Sequence, residues 1–147
     1  MRIAMGSDHA GFELKEHLKE YLTGKGHEII DVGTHSTQSV DYPEYGAAAA
    51  RKVTAGDAER AIVICGTGMG IGMAAGKVPG IRCAMVSEVF SARLSREHNN
   101  ANALSLGARV IGYGTAEDIV DVWTTTDFLG GRHERRVNKI ENAPEIG

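Results

Sequence analysis

Aromatic side chains are scarce in this sequence, at 5% of its 147 residues, and it has no surplus of basic residues: 16 Lys and Arg stand against 19 Asp and Glu, for a net charge of −3. So few aromatics leave little surface on which bases could stack, and that balance gives no basic track for a nucleic-acid backbone. Nucleic acid is therefore not an expected partner. There are only two cysteines, Cys65 and Cys83. They fall in separate strand-like segments and form no C-x-x-C pair, so neither a disulfide framework nor a zinc site is indicated, and a reducing compartment fits best. No apolar run approaches a membrane span, and Met1 to Met5 is too short for a signal peptide, so a cytoplasmic protein without a membrane partner is expected. There is no room for a second catalytic domain. The chain reads as one domain over residues 1–147, with 128–147 as a C-terminal tail.

Glycine, by contrast, is plentiful, and it is concentrated where it matters most. In Ile62-Val63-Ile64-Cys65-Gly66-Thr67-Gly68-Met69-Gly70-Ile71-Gly72 a β-branched run ends in a cysteine, and glycines follow at every second position before an Ala-rich segment. That pattern reads as strand, tight loop and helix start. Repeated glycine is costly to order and suggests that backbone amides approach something closely. Amides at a helix N-terminus attract anions and favour the thiolate form of a nearby cysteine, so Cys65 is a candidate base or nucleophile. A buried cysteine above a packing loop is the plainer alternative.

Around this stretch, strand and helix alternate. Arg2 to Gly6, His27 to Val32, Ala61 to Cys65, Ile81 to Val86 and Ala108 to Ile111 read as strands. The segments after Gly11, from Tyr42 to Val53, from Glu88 to Arg96 and from Ala116 to Trp123 read as helices. Ser7 or Asp8 can cap the first helix, and Pro43 suits the first turn of the second. Such alternation predicts an α/β fold: an open, Rossmann-like parallel five-stranded sheet in the order 2-1-3-4-5, with helices on both faces and a C-terminal helical tail. The switch point then lies between the first and third strands. It brings Asp8-His9 beside Cys65-Gly66-Thr67, where open α/β sheets bind ligands.

The tail carries a basic cluster, Gly130-Gly131-Arg132-His133-Glu134-Arg135-Arg136. If it is helical, Arg132 and Arg136 sit one turn apart, and two guanidinium forks at that spacing suit a phosphate. A solvated terminal helix would look the same. Other readings of the glycine loop fail on particular residues. Gly70-Ile71-Gly72-Met73-Ala74-Ala75 matches a dinucleotide fingerprint but follows the third strand, not the first. Gly76-Lys77 is followed by Val78, not the Ser or Thr of a P-loop. A cysteine phosphatase would want an arginine where Met69, Ile71 and Met73 stand. What remains is a thiol, an Asp-His pair, anion-binding amides and a basic tail, a set suited to proton transfer on a phosphorylated small molecule with no metal or other cofactor.

Gly6-Ser7-Asp8-His9-Ala10-Gly11, Asp41-Tyr42-Pro43, Ile64-Cys65-Gly66-Thr67-Gly68, Ser95-Arg96-Glu97-His98-Asn99 and Gly131-Arg132-His133 together resemble the ribose-5-phosphate isomerases of type B. That family includes allose-6-phosphate isomerases and the subunits of galactose-6-phosphate isomerase. The resemblance implies a cofactor-independent aldose-ketose isomerase working through an enediolate, with ribose 5-phosphate and ribulose 5-phosphate as the pair. Allose 6-phosphate or galactose 6-phosphate, or a non-catalytic phospho-sugar binding module on the same fold, are the alternatives. Carried over by position, Cys65 is the base, Thr67 assists it, Asp8 shuttles a hydroxyl proton and His98 opens the sugar ring. Amides from Gly66, Gly68 and Gly70 hold the enediolate oxygens. His9, Arg109, Arg132 and Arg136 bind phosphate, and Tyr42 and Asn99 touch the sugar. A second subtype has a glutamate six residues after the cysteine position; Ile71 stands there, which places this chain with the cysteine subtype. The family usually has Asn before Lys77. Here Gly76 stands instead, and because a glycine within a helix costs about 1 kcal/mol relative to alanine, a shorter helix after the active loop is expected.

Geometry adds an expectation about assembly. A helix from Glu88 returns toward the amino ends of the strands, so His98 falls at the sheet edge opposite Cys65. Arg109, read as preceding the last strand's apolar run, falls there too. Both would then reach a neighbour's site, making the chain a homodimer or dimer of dimers with shared active sites.

Overall fold

The computed structural model describes residues 1–147. The chain runs β1 (Arg2–Ser7), α1 (Phe12–Gly24), β2 (Glu28–Gly33), α2 (Tyr42–Thr54), β3 (Arg60–Cys65), α3 (Met69–Gly76), β4 (Cys83–Met85), α4 (Val89–Glu97), β5 (Ala103–Gly107), α5 (Tyr113–Thr125) and α6 (Arg132–Glu141). The five strands form one parallel sheet in the order β2-β1-β3-β5-β4. The Rossmann-like plan and its switch point between β1 and β3 match expectation, but the last two strands are exchanged. Burial explains the exchange. Every residue of Ala103–Gly107 is buried, as a central strand of a parallel sheet must be, whereas β4 is three partly exposed residues suited to an edge.

Alternation along the strands sorts two cores. Ile3, Met5, Ile62, Ile64, Leu104 and Leu106 meet Leu14 and Leu18 of α1, Ala92 of α4, and Ile119 and Trp123 of α5. Ala4, Val63, Cys65 and Ala103 meet Ala49 and Ala50 of α2 and Ile71 and Ala75 of α3. The second layer is built of small residues, which lets α2 and α3 approach closely enough that a Cβ on Gly46 would lie 2.7 Å from the Ile71 carbonyl oxygen. Cys65 therefore ends its strand at the mouth of the thinner layer.

Between α1 and β2, Lys15 is fully buried and donates to both Asp31 oxygens at 2.7 and 2.8 Å. Lys19 and the Gly33 N–H also donate to Asp31. Burial pushes the Asp31 carboxyl up, but these donors outweigh it and hold it below the usual carboxylate range. The pair fixes the end of β2, from which the loop to α2 departs.

Candidate active site

At the carboxyl edge of the sheet, Ser7 lies opposite Ile64 in the β1–β3 ladder. The next residues, Asp8 and Cys65, are thus neighbours on strands about 4.8 Å apart, and the Asp8 N–H still donates to the Ile64 carbonyl at 3.3 Å. Cys65 is 5% exposed, and its Sγ accepts the Gly68 N–H at 3.2 Å. Gly68 has φ of 80°, and a Cβ there would fall 2.8 Å from the Leu106 carbonyl carbon, so this turn requires glycine. Ser105 of β5 locks the turn by donating its hydroxyl to the Gly68 carbonyl. Thr67, exposed at the tip, accepts the Met69 N–H at 3.2 Å.

Other groups close around this turn. Asp8 does not cap α1 directly; its Oδ1 accepts the N–H of Gly11, the residue that stands at the N-cap. His9 accepts the Val40 N–H on Nδ1 at 3.2 Å, which leaves Nε2 to carry the proton in the neutral ring. Tyr42, first residue of α2, lies against Gly70 so closely that a Cβ on Gly70 would be 2.5 Å from the Tyr42 ring. The Arg109 N–H donates to the Gly66 carbonyl at 3.0 Å. Its guanidinium lies over Gly66, where an added Cβ would meet Nη1 at 3.3 Å.

Arg109 is therefore on the Cys65 edge, contrary to the expectation that it lies at the far one. The reason is the register of β5, which ends at Gly107 opposite Cys65 and puts Arg109 after the strand, not before it.

The opposite edge carries a second polar cluster. β5 spans roughly 15 Å at about 3.3 Å per residue, and α4 returns along it to deliver His98 as its C-cap near the amino ends. The turn that follows, with Asn100 at φ of 46°, is held from two sides. Arg82 donates to the carbonyls of Asn99 and Asn100 at 3.0 and 2.8 Å, and Arg96 to the Asn100 side chain and the Ala101 carbonyl at 3.0 and 2.7 Å. The tail folds as the helix α6, with Arg132 and Arg136 exposed and one turn apart. It is joined to this edge by the Leu129 N–H on the Glu97 carbonyl and by an Arg82–Glu141 ion pair. The His133 ring stacks on His98 with centroids 4.2 Å apart. Burial, with nearby His98, Arg132 and Arg136, pushes His133 below the ordinary imidazole range.

The fold thus gathers Asp8, His9, Tyr42, Cys65, Gly66, Thr67, Gly68, Gly70 and Arg109 at one edge. It holds His98, Asn99, Arg132 and Arg136 at the other. Sequence reading gave no role to Ser105, Arg82, Arg96 or His133. Arg82 and Ser105 act on carbonyls distant in sequence, which leaves no local pattern, whereas Arg96 binds Asn100 and Ala101 only four and five residues on and stands inside one of the motifs named above. His133 stood inside a quoted motif, and the signal there was its place between two arginines. No three His, Cys, Asp or Glu side chains converge as metal ligands would.

Residues 3–140 match the family described as Ribose/Galactose Isomerase. The chain is similar to ribose-5-phosphate isomerase B of Escherichia coli, with 47% identity over 95% of this chain and 93% of that one. Its fold is similar to the solved ribose-5-phosphate isomerase B of Clostridium thermocellum, with a TM-score of 0.96 and 53% identity over 97% and 96% of the two chains. It is also similar to the Mycoplasma genitalium enzyme of that name, solved with bound ribulose-5-phosphate, with a TM-score of 0.91 and 39% identity over 96% and 94%.

Proposed function

The chain belongs to the Ribose/Galactose Isomerase family and is an aldose-ketose isomerase of sugar phosphates, and from that premise we propose that it interconverts ribose 5-phosphate and ribulose 5-phosphate through an enediolate, with Cys65 as the base. The observation that carries the reading is the Cys65 thiol itself. It ends β3 beside Asp8, with the Gly68 N–H on its sulfur, at the switch point where an open sheet receives a ligand. Similarity to an enzyme solved with bound ribulose-5-phosphate supports the choice of sugar.

In this reading the closed sugar is first opened. His98 moves the proton that the ring oxygen must gain as the hemiacetal bond breaks and the C1 aldehyde forms. The Cys65 thiolate then takes the proton from C2, and the electron pair left behind forms the enediolate, with negative charge on the C1 oxygen. The amides of Gly66 and Gly70 are left to meet that charge, the Gly68 N–H being held by the Cys65 sulfur, and one such donor is worth roughly 3 to 4 kcal/mol in other enzymes. Asp8 carries the hydroxyl proton from O2 to O1. Return of the proton from Cys65 to C1, assisted by Thr67, gives the ketose. No proton is gained or lost overall, and no cofactor is required. His9, Arg109, Arg132 and Arg136 bind the phosphate, while Tyr42 and Asn99 contact the sugar.

Because His98, Asn99, Arg132 and Arg136 stand at the edge opposite Cys65, this chemistry needs two chains. A homodimer, or a dimer of dimers, in which each site takes Cys65 from one subunit and His98 from the other meets that need. The groove between α3, β4, α4 and α6 supports the pairing. Met73, Met85 and Ile140 are exposed along it, and it leads from Gly72 near the active turn to Asn99 at the far edge.

A coupled assay across ribose 5-phosphate, allose 6-phosphate and galactose 6-phosphate tests the substrate. Turnover led by the ribose ester is expected. Preference for either hexose ester would replace the pentose reading, and no turnover of any would defeat the functional one.

A further inference from the structure

We infer that His133 is a positioning residue for His98: stacked face to face on it, His133 fixes the plane of the ring that the proposed ring-opening step uses. The inference rests on the isomerase reading given above. It starts from what holds His98 and what does not. The backbone on either side of His98 is held tightly, since its own N–H bonds the Leu94 carbonyl and Arg82 and Arg96 clamp the turn that follows. The ring is another matter. No hydrogen bond within the chain fixes either imidazole, so the freedom left to His98 is rotation of its side chain. The only ring stacked on it is that of His133, with centroids 4.2 Å apart and planes within 10°.

His133 is itself well seated. It is 8% exposed on the inner face of α6, one turn before the buried Val137, while Arg132 and Arg136 point outward from the same helix. The helix that presents the phosphate-binding arginines thus also supplies the surface that holds the ring. Both rings are planar and offer each other a flat, mutually buried face, which is an arrangement that sets orientation at low entropic cost. Orientation matters here because proton transfer to a ring oxygen falls steeply with misalignment. A purely packing role for His133 would leave turnover unchanged once the helix docked. A phosphate-binding role would instead raise KM, as loss of Arg132 or Arg136 would.

The test compares His133→Ala, which removes the stack, with His133→Phe, which keeps a flat ring and removes the nitrogens. In wild-type protein the His98 ring protons should carry an upfield ring-current shift in NMR spectra, lost in His133→Ala and kept in His133→Phe. With saturating ribose 5-phosphate, or whichever of the three phosphates the wild type turns over, His133→Ala should lower kcat about tenfold with KM changed less than about twofold, and His133→Phe should restore kcat. Wild-type kcat in a folded His133→Ala, or no ring-current shift in the wild type, would overturn the inference. So would a His133→Phe as slow as His133→Ala, because the nitrogens would then carry the effect. If His133→Ala fails to fold, the Phe variant and the wild-type shift still decide. Failure of the isomerase reading is recognised separately, by a wild type that turns over none of the three phosphates.

Discussion

Cys65 is 5% exposed and Cys83 is the more accessible of the two by area, yet the chemistry assigned here makes Cys65 the reactive one. Burial of its surroundings pushes the Cys83 thiol up to about 12, so almost none of it is thiolate at neutral pH. The thiolate is the nucleophile. Brief iodoacetamide treatment at pH 8 should therefore label Cys65 before Cys83, as read by peptide mapping, and preferential labelling of Cys83 would remove the support for a reactive Cys65. Cys65→Ala should abolish isomerisation while changing the affinity for a non-isomerising sugar phosphate less than about twofold, because the thiol moves a proton and the arginines bind. Arg136→Ala should do the reverse, raising KM strongly with a smaller effect on kcat. At this scale the placing of Cys65 and Asp8 was readable, because each ends an apolar run and the fold brings the two strand ends together. The sequence was silent about Arg82 and Ser105, whose work is done on carbonyls that only the folded chain brings near.

The elements were legible to the extent that burial follows pattern. Alternation revealed β1, β2 and β3, and Pro43 stands in the first turn of α2 as expected. β5 was misplaced because Ser105 and Gly107 interrupt the apolar residues of Ala103–Gly107, while Ala108-Arg109-Val110-Ile111 looks more continuous. In the fold Ser105 is satisfied by the Gly68 carbonyl, so a polar residue sits in a central strand without penalty. That five-residue slip is what sent Arg109 to the wrong edge. The Lys15–Asp31 pair, joining α1 to β2, gives an element-level prediction. Asp31→Asn leaves the buried Lys15 ammonium without its main partner, and should cost about 2 to 4 kcal/mol near pH 7 in urea unfolding. Because the folded-state carboxyl of Asp31 is held below its ordinary value of 3.8, its contribution is present above that value and is lost as pH falls through the lower folded one. The stability gap between wild type and Asp31→Asn should therefore shrink below about pH 4. A gap that stayed constant from pH 7 to pH 3 would contradict the assignment of that pair.

For the whole molecule, the decisive feature is that the residues of one proposed reaction lie at two opposite edges of one sheet. Within one chain, the Cys65 turn and the His98 turn are separated by the length of β5. A paired chain laid along the α3–β4–α6 groove would set the His98 edge of one copy against the Cys65 edge of the other, and would cover the exposed Met73, Met85 and Ile140. The corrected place of Arg109 sharpens this picture. In the proposed dimer Arg109 belongs with the subunit that gives Cys65, and only His98, Asn99, Arg132 and Arg136 would have to cross. The most direct test is to unfold inactive Cys65→Ala and inactive His98→Asn together and refold them as a mixture. Random pairing makes half the dimers mixed, and each mixed dimer holds one site with both wild-type residues, so about a quarter of wild-type activity should return. No recovery, with mixed dimers verified by mass, would mean that Cys65 and His98 do not act together across two subunits, and would contradict the shared site.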